Sequence, residues 1–471
     1  MTITNWQDKR IVIVGAARQG LALARYLARH GAKVILNDKR TAEEMQAQRT
    51  ELAAFAPLEI EWALGGHPLS VLDPAPEMVC VSGGVPLDNP IVAAAAKNGI
   101  QLSNDTQIFM DAVPCKTVGI TGSAGKTTTT TLVGRIAQNS SGKYRKIWVG
   151  GNIGDPLINY LDEMQPDDLA ILEISSFQAE QMSTSPNVAA ILNITPNHLD
   201  RHSTIDAYAA AKAQVLKHQT AGDVAILGRD DPGAWARTTD VQGTLLSFGF
   251  SPLPEGQNGT WMDANEKIFL RDGDETKRLP VDDVIELRGA HNTMNVLAAC
   301  TIAHAAGFTP AEMRAGIEGF RGVPHRLEFV RTWRGAQWYN DSIATAPERT
   351  MAAVHAFGGP LILMLGGRDK NLPWDELAKL IHQRVDHVVI FGEAAEKINA
   401  AIGQRIPGSR PYSVTRVEKC EDAVRAASRL AQPGFVVLFS PGGTSYDEFK
   451  DFEERGEKFR QWVLEFSETL R

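Results

Sequence analysis

The chain has 471 residues, of which 43% are hydrophobic and 22% are charged, and its formal net charge is −8. This length and composition are typical of a globular protein with about three domains. The negative charge argues against nucleic acid or an anionic membrane as a main partner, and no apolar run approaches the ~18 residues of a membrane helix. We therefore expect a cytoplasmic protein without membrane insertion, whose scattered cysteines are free buried thiols.

The chain opens with a Rossmann-type βαβ pattern. Arg10 to Val14 is a buried strand, the loop GAARQG and a helix follow it, and Lys33 begins a second strand. Ala17 replaces the second glycine of the dinucleotide fingerprint, where the backbone must approach a pyrophosphate closely, and Asp38 stands at the place of a ribose-binding acid. The residues leave two interpretations open: a weakened nicotinamide site, or a nucleotide that is held in another way.

The stretch KTVGITGSAGKTTTTT, residues 116–131, predicts a strand, a glycine loop and a helix. The loop has the short form G-x-x-G-K-T, because Ile120 occupies the position of the first glycine in the longer Walker pattern. Backbone N–H groups and a helix N-terminus make such a loop suited to a polyphosphate. We expect Lys126 along the β- and γ-phosphates and the Thr127 hydroxyl at Mg²⁺.

Two later strands carry polar residues to the same sheet edge. Leu169 to Leu172 precedes Glu173, and Val188 to Leu192 precedes the run NITPNHLDRH. A carboxylate at such a strand end suits Mg²⁺. In the helix predicted from Ile205 to Lys217, Lys212 shares a face with Tyr208, yet spacing alone favours a lysine that reaches solvent.

Short strands between residues 243 and 287 predict a small β-rich subdomain. Beyond Gly322, a β-ribbon and three buried strands, each ending in a loop, indicate another β/α domain. The last run, DEFKDFEERGEKFRQWV, predicts an amphipathic helix with its charges in solvent and Phe449, Phe452 and Phe459 turned inward.

The order of these motifs resembles the Mur ligases of peptidoglycan precursor synthesis, in particular the branch that adds D-glutamate. The resemblance covers essentially the whole chain and rests on GSAGKTT, GNIG, EISSFQ, NITPNHLDRH, YAAAK, HN…N, PHR, NDS and SPGGTSYDEFKDFEERGEKF. It implies an α/β fold of three domains: a Rossmann-like UDP-sugar-nucleotide domain (1–110), a P-loop ATPase-like domain with a small β subdomain (111–321), and a Rossmann-like amino-acid-binding domain (322–471).

The resemblance also implies a reaction. ATP would drive ligation of D-glutamate to UDP-N-acetylmuramoyl-L-alanine through an acyl phosphate, by a monomer that uses two Mg²⁺ ions and CO₂ bound as a lysine carbamate. The catalytic residues would be Lys126, His198 and Lys212, the last as the carbamylated lysine. The metal ligands or their supports would be Thr127, Glu173, His198 and Lys212.

Further site residues follow only from matching the family's motifs. The nucleotide would contact Gly122, Ser123, Ala124, Gly125, Lys126, Thr127, Thr128, Asn292, Asn295, Arg326 and Asp341. The uridine substrate would contact Arg18, Gln19, Asp38, Lys39, Arg40, Gly84, Asn152, Ser175 and Gln178. The acceptor would contact Thr345, Lys370, Ser445 and Phe452.

Two positions depart from the family's pattern. Ala124 replaces an asparagine, and Ile343 replaces a lysine that many D-glutamate-adding relatives carry near the transferred phosphate or the acceptor. Either Arg368 compensates for the missing cation, or the acceptor differs, even in being L-glutamate. Other hypotheses are a different Mur ligase, a folylpolyglutamate-type ligase, an NAD oxidoreductase and a non-catalytic ATP-binding or motor protein. The acceptor motif of the diaminopimelate-adding branch is not seen, and a folylpolyglutamate-type ligase would lack the leading uridine-nucleotide domain. An oxidoreductase would leave the phosphate loop unexplained, and the acidic Walker B pair of a motor protein is not evident.

Overall fold

The computed structural model describes residues 5–55, 59–140, 142–196, 199–202, 204–287, 289–369, 372–404 and 407–469. The chain forms two compact units, one ending at Phe320 and the other beginning at Arg321. The first unit contains two β-sheets and the second contains one, which gives three α/β domains. In the described part of the chain, none of the helices combines the length and the apolar character needed to cross a membrane.

The first sheet has five parallel strands in the order β3-β2-β1-β4-β5. The strands are Arg10–Val14 (β1), Lys33–Asp38 (β2), Ile60–Leu64 (β3), Met78–Val81 (β4) and Gln101–Ser103 (β5). The helices are Arg18–Arg29 (α1), Gln46–Ala53 (α2), Pro90–Lys97 (α3) and Asp105–Ala112 (α4). The strand order reverses between β1 and β4, which is where open α/β sheets bind their ligands.

The second sheet has nine strands in the order β14-β13-β12-β11-β10-β9-β6-β8-β7. The strands are Lys116–Thr121 (β6), Ile147–Gly151 (β7), Leu169–Glu173 (β8), Val188–Ile191 (β9), Val224–Gly228 (β10), Thr244–Gly249 (β11), Asn258–Met262 (β12), Ile268–Asp272 (β13) and Glu275–Arg278 (β14). The helices are Lys126–Gln138 (α5), Ser176–Ala179 (α6), Leu199–His202 (α7), Ile205–Lys217 (α8), Pro232–Trp235 (α9), Ala290–Ala305 (α10) and Pro310–Ile317 (α11). Strand β6 lies between β8 and β9, so their carboxyl ends meet at one edge.

The short strands predicted between residues 243 and 287 are present, but they extend this sheet instead of forming a sheet of their own. Strand β11 pairs in parallel with both β10 and β12, and β12, β13 and β14 then pair antiparallel. The sequence pattern showed the turns correctly, whereas the pairing of β11 with β10 depends on contacts between distant parts of the chain.

The third sheet has the order β15-β16-β20-β17-β18-β19, with an antiparallel hairpin at one edge and parallel strands elsewhere. The strands are Glu328–Trp333 (β15), Ala336–Asn340 (β16), Leu361–Gly366 (β17), His387–Phe391 (β18), Ser413–Arg416 (β19) and Val436–Gly442 (β20). The helices are Pro347–His355 (α12), Asp375–Arg384 (α13), Ala395–Ile402 (α14), Cys420–Leu430 (α15) and Phe452–Thr469 (α16).

Both faces of the third sheet are covered by helices. Along β17, Leu361, Leu363 and Leu365 belong to one apolar cluster, whereas Ile362 and Met364 belong to the cluster on the other face. Parallel strands buried on both faces read as unbroken apolar runs, which is why the sequence predicted them without alternation. The four cysteines, Cys80, Cys115, Cys300 and Cys420, are free and buried, as predicted.

Candidate functional site

The phosphate loop joins β6 to α5 and ends at Gly125, a position that only glycine can occupy without strain. Gly125 has a φ of +84°, and a Cβ at this position would lie 2.2 Å from the Asn295 Oδ1 atom. Helix α5 begins directly after it, at Lys126. The loop therefore leads directly into the N-terminus of α5, an arrangement that favours phosphate.

Residues that follow β9 hold the phosphate loop in place. The Asn193 side chain accepts a hydrogen bond from the Ala124 N–H at 2.8 Å and donates one to the Ala124 carbonyl at 3.1 Å. The Ser123 hydroxyl donates to the Thr195 carbonyl at 3.0 Å. These bonds tie the loop after β6 to the residues after β9, so two neighbouring strand ends of one sheet support it.

Two lysines converge on one carbonyl of the loop. Lys126 Nζ donates to the Gly122 carbonyl oxygen at 2.8 Å, and Lys212 Nζ donates to the same oxygen at 2.9 Å. Lys212 is only 1% exposed, so the prediction from spacing that it reaches solvent is wrong. Burial, and next the charge of Lys126, lower the pKa of Lys212 to about 6, while Glu173 acts in the opposite direction.

Glu173, at the end of β8, is buried, and only one of its two carboxylate oxygens accepts a hydrogen bond from a described residue. Its Oε1 atom accepts a hydrogen bond from Asn152 Nδ2 at 2.8 Å, and among the described residues its buried Oε2 atom has no hydrogen-bond partner. A buried carboxylate oxygen of this kind fits a cation. The structure, over the residues it describes, holds no group of three or more His, Cys, Asp and Glu side chains arranged for a metal, and the predicted ligand His198 lies outside those residues.

The loop after β1 in the N-terminal domain is held by a hydrogen bond to the Asp38 carboxylate. Asp38 Oδ2 accepts a hydrogen bond from the Ala16 N–H at 2.8 Å, and Arg40 binds both Asp38 oxygens at 2.9 and 2.8 Å. Burial alone would raise the pKa of Asp38, but these hydrogen bonds outweigh it and lower the pKa to about 2. Asp38 therefore shapes the loop, and its neighbour Lys39 is exposed.

A chain of contacts connects this loop with the central domain. Arg18 Nη2 donates to the Asn152 carbonyl at 3.3 Å, and the Asn152 side chain in turn binds Glu173. Gln19 lies against Gly83, and the adjacent Gly84 is exposed. The structure thus links two of the predicted uridine-substrate residues, Arg18 and Asn152, to the Glu173 carboxylate.

Ser175 and Gln178 have a structural role that the sequence analysis did not assign. They form a capping box at α6, in which the Ser175 hydroxyl accepts a hydrogen bond from the Gln178 N–H at 3.2 Å.

Arg201 was not identified as a site residue, although it lies within the motif NITPNHLDRH. Its side chain donates to the Val85 carbonyl and its guanidinium lies 4.3 Å from the Phe177 ring centroid, so it joins the two domains of the first unit.

The predicted nucleotide contacts lie in two places. In the first unit, Asn295 lies against Gly125 and its Nδ2 atom donates to Asn292 Oδ1 at 3.3 Å. In the second unit, Asp341 is only 4% exposed and accepts hydrogen bonds from the Leu327 N–H at 3.2 Å and the Ser440 hydroxyl at 2.7 Å. Burial raises the pKa of Asp341 to about 7.

The three predicted acceptor residues that the structure describes, Thr345, Ser445 and Phe452, lie on segments of the second unit that are joined by hydrogen bonds. The Ala344 carbonyl, beside Thr345, accepts from the Gly442 N–H at 2.8 Å, and Ser445 follows that glycine loop. The Ser342 hydroxyl donates to the Phe452 carbonyl at 2.8 Å. Lys370, the predicted cation of this site, lies outside the described residues.

Arg455 holds these loops together, and sequence reasoning missed it. Its Nε and Nη2 atoms donate to the Ser342 hydroxyl and carbonyl at 3.0 and 2.8 Å, and its Nη1 atom donates to the Gly443 carbonyl at 3.0 Å. The side chain is 0% exposed, so the prediction that the charges of this helix are all solvated is wrong. Its spacing from Phe452 and Phe459 places Arg455 on the inward face, a signal that could have identified it.

Three family models match consecutive parts of the chain. The Mur ligase MurD-like N-terminal domain matches residues 9–104, the Mur ligase middle domain matches residues 120–303, and the Mur ligase glutamate ligase domain matches residues 325–443. The matched segments follow the three sheets in order.

Known proteins match along the whole chain. UDP-N-acetylmuramoylalanine–D-glutamate ligase of Koribacter versatilis is 38% identical over 464 residues, which are 98% of each chain. The enzyme of the same name from Symbiobacterium thermophilum is 35% identical over 456 residues, which cover 97% of this chain and 98% of that one. The crystal structure of UDP-N-acetylmuramate-alanine ligase MurC from Thermotoga maritima has a TM-score of 0.54 at 18% identity, covers 97% of this chain and 99% of that one, and supports the fold alone. The chain belongs to the Mur ligase family, whose members are ATP-dependent ligases.

Proposed function

We propose that this protein uses ATP to join D-glutamate to UDP-N-acetylmuramoyl-L-alanine. One observation carries the proposal: Lys126 and Lys212 converge on the Gly122 carbonyl of a phosphate loop that Asn193 already holds in place. The names of the full-length relatives supply the substrates. Membership of this ligase family leaves the oxidoreductase and motor hypotheses without support.

The proposed reaction has two steps. The alanine carboxylate attacks the γ-phosphorus of ATP, ADP leaves, and an acyl phosphate forms; the amine of D-glutamate then attacks the acyl carbon, and phosphate leaves. The phosphate-loop N–H groups and Lys126 stabilise the charge on the transferring group. Mg²⁺, when bound by Thr127, Glu173, His198 and Lys212 in its carbamate form, would neutralise the polyphosphate further.

Lys212 is proposed to carry CO₂ as a carbamate. A lysine with a pKa of about 6 is mostly neutral at pH 7 to 8, so its nitrogen lone pair can attack CO₂. The N–C bond forms, one proton leaves to solvent, and the product is an anion in place of a potential cation. We expect an NMR signal of a carbamate when the protein is given ¹³C-labelled bicarbonate, and the absence of this signal in Lys212→Ala. A labelled wild-type protein without the signal would contradict the proposal.

Activity gives a second test of the carbamate. Lys212→Ala should lose most of its ligase activity, and short carboxylic acids should restore part of it by supplying the missing anion. Lys217→Ala, an exposed lysine on the same helix, serves as the matched control. Full activity in Lys212→Ala without added acid would contradict the role of this lysine.

The remaining assignments belong to the same proposal. The nucleotide contacts are Asn292, Asn295, Arg326 and Asp341 together with the phosphate loop, and the uridine-substrate contacts are the residues already named in the first unit. The acceptor contacts are Thr345, Lys370, Ser445 and Phe452. Domain boundaries near residues 110 and 321, a monomeric state and a cytoplasmic location stay predictions.

Phosphate release from ATP tests the function directly. Purified protein with UDP-N-acetylmuramoyl-L-alanine should release phosphate only when D-glutamate is present, with L-glutamate and D-aspartate as the comparison amino acids. Because Ile343 replaces a cation near the acceptor, a preference for L-glutamate would favour the alternative acceptor. No release with any of the three would contradict the proposed function itself.

A further inference from the structure

Arg349 lies against the loop where the sequence lacks an expected lysine. It is the third residue of α12, and its Nη1 atom donates a hydrogen bond to the Ile343 carbonyl at 3.3 Å. The residue as a whole is exposed, and one nitrogen of its guanidinium is anchored to the Ile343 carbonyl. The cation thus lies beside position 343, although it comes from six residues further along the chain.

The same loop also positions Arg326. The Ile343 N–H donates to the His325 carbonyl at 3.1 Å, and the Leu327 N–H donates to Asp341 at 3.2 Å. His325 and Leu327 have φ values of +64° and +42°, a left-handed conformation that is uncommon for such residues and marks a constrained turn. The residues on both sides of Arg326 are therefore fixed to the loop that Arg349 contacts.

The charges at this loop are predominantly positive. Partial desolvation of the guanidinium, and next the charge of Arg326, lower the pKa of Arg349, while the charge of Asp341 acts in the opposite direction. Asp341 itself has a pKa raised to about 7 by burial, and its two oxygens already accept hydrogen bonds from Leu327 and Ser440. Two guanidinium groups beside a partly neutralised carboxyl form an environment that favours an oxyanion.

The other arginine considered for this role is engaged elsewhere. Arg368 forms two hydrogen bonds with the Glu393 carboxylate, Nε to Oε2 at 2.8 Å and Nη2 to Oε1 at 3.0 Å. Such a bidentate pair uses the fork of the guanidinium that would otherwise receive a substrate carboxylate.

We propose that Arg349 supplies the cation that Ile343 does not, and that it binds a carboxylate of the incoming amino acid. The inference rests on the proposed function, because it assumes an anionic amino acid as the acceptor. Arg349 lies in the first turn of α12, four residues after Thr345, and the Ala344 carbonyl that precedes Thr345 accepts a hydrogen bond from the Gly442 N–H. Specificity for a dicarboxylic amino acid would then depend on a residue outside the NDS motif.

The test compares Arg349→Gln with Arg368→Gln, after wild-type activity with D-glutamate has been measured. Loss of a charge-assisted hydrogen bond should raise the KM for D-glutamate about tenfold or more in Arg349→Gln. The KM for ATP should change less than about twofold, Arg349→Lys should retain part of the affinity, and Arg368→Gln should behave like the wild type. Thermal unfolding of each variant confirms that the fold is retained.

A second substitution separates binding from a structural role. Ile343→Lys, made in the Arg349→Gln background, restores a cation at the neighbouring position and should recover the affinity for D-glutamate. Failure of this rescue, a rise in the KM for ATP in place of that for D-glutamate, or a larger effect of Arg368→Gln would each overturn the proposal. A wild-type protein inactive with every acidic amino acid would instead contradict the proposed function.

Discussion

The phosphate loop of the first unit and the segments of the second unit that carry the predicted acceptor residues are built in different ways. Lys126 and the Gly122 carbonyl that it binds are four residues apart, within one strand-loop-helix segment. In the second unit, the hydrogen bond from Arg455 to Ser342 joins two of these segments, and the two residues are 113 positions apart in the chain. A site formed by one contiguous segment carries its chemistry in a local motif, whereas a site assembled from distant loops depends on the residue that joins them.

Both sites contain a buried basic side chain whose pKa burial lowers, but the two side chains differ in their charge at neutral pH. Lys212 in the first unit has a pKa lowered to about 6 and is therefore available in its neutral form. Burial also lowers the pKa of Arg455 in the second unit, to about 10, so its guanidinium stays charged at neutral pH and donates three hydrogen bonds to Ser342 and Gly443. At neutral pH, burial therefore leaves Lys212 mostly uncharged and able to react, whereas Arg455 stays a cation with a structural role.

The largest effect is expected when the local site loses its cation. Lys126→Ala should lower phosphate release about a hundredfold or more, because the proposed mechanism makes this lysine a principal charge donor to the transferring phosphate. The fold should be retained, since the lysine is only part-buried and bonds to the loop carbonyl. Lys217→Ala is the control, and near wild-type turnover in a folded Lys126→Ala protein would contradict the assignment.

Removing the Arg455 side chain, which joins distant segments of the second unit, should lower the stability of the fold. Arg455→Ala leaves a cavity and removes the donors to the Gly443 and Ser342 carbonyls, so we expect the free energy of unfolding to fall by about 3 kcal/mol or more. Urea denaturation followed by circular dichroism measures this change. Lys458→Ala, an exposed position on the same helix, should be nearly neutral, and equal midpoints for the two variants would contradict the structural role of Arg455.

Lys212→Met should instead stabilise the protein, by about 3 kcal/mol at pH 7 in CO₂-free buffer, because the cost of keeping the buried amine neutral exceeds the value of its two hydrogen bonds. Between a folded pKa of about 6 and the usual 10.5, the unfolded chain binds more protons, so wild-type stability rises with pH across this window. The advantage of the variant should therefore be largest below about pH 6 and vanish toward pH 10.5. Melting temperatures of both proteins at several pH values, with Lys217→Met as the control, measure the difference; a constant difference would contradict it.

The smallest effect is expected from loosening the phosphate loop without removing a charge. Asn193→Ala loses both hydrogen bonds to Ala124, which should cost about 1 kcal/mol of stability and raise the KM for ATP a few-fold. Asn193→Asp keeps the acceptor for the Ala124 N–H and should lie between the wild type and Asn193→Ala. An unchanged KM for ATP in Asn193→Ala would show that the loop needs no such support.

Much of the fold could be predicted because its signals are local. Helix α8 begins at Ile205 and ends at Lys217, as the sequence pattern predicted, since helical periodicity and the Thr204 cap lie within one segment. The edge strands β12, β13 and β14 were predicted as strands, but not their continuation of the central sheet. Strand propensity depends on neighbouring residues, whereas the choice of a partner strand depends on packing across the whole domain.

The sequence by itself determined the order of elements, the phosphate loop and the strand that ends at Glu173, because backbone geometry and apolar periodicity act over a few residues. Tertiary structure alone decided the protonation of Lys212, the burial of Arg455 and the approach of Arg349 to Ile343. Helical spacing shows which residues share a face but not what lies opposite that face. Desolvation and charge interactions arise from those opposing atoms, so they follow only from the folded arrangement.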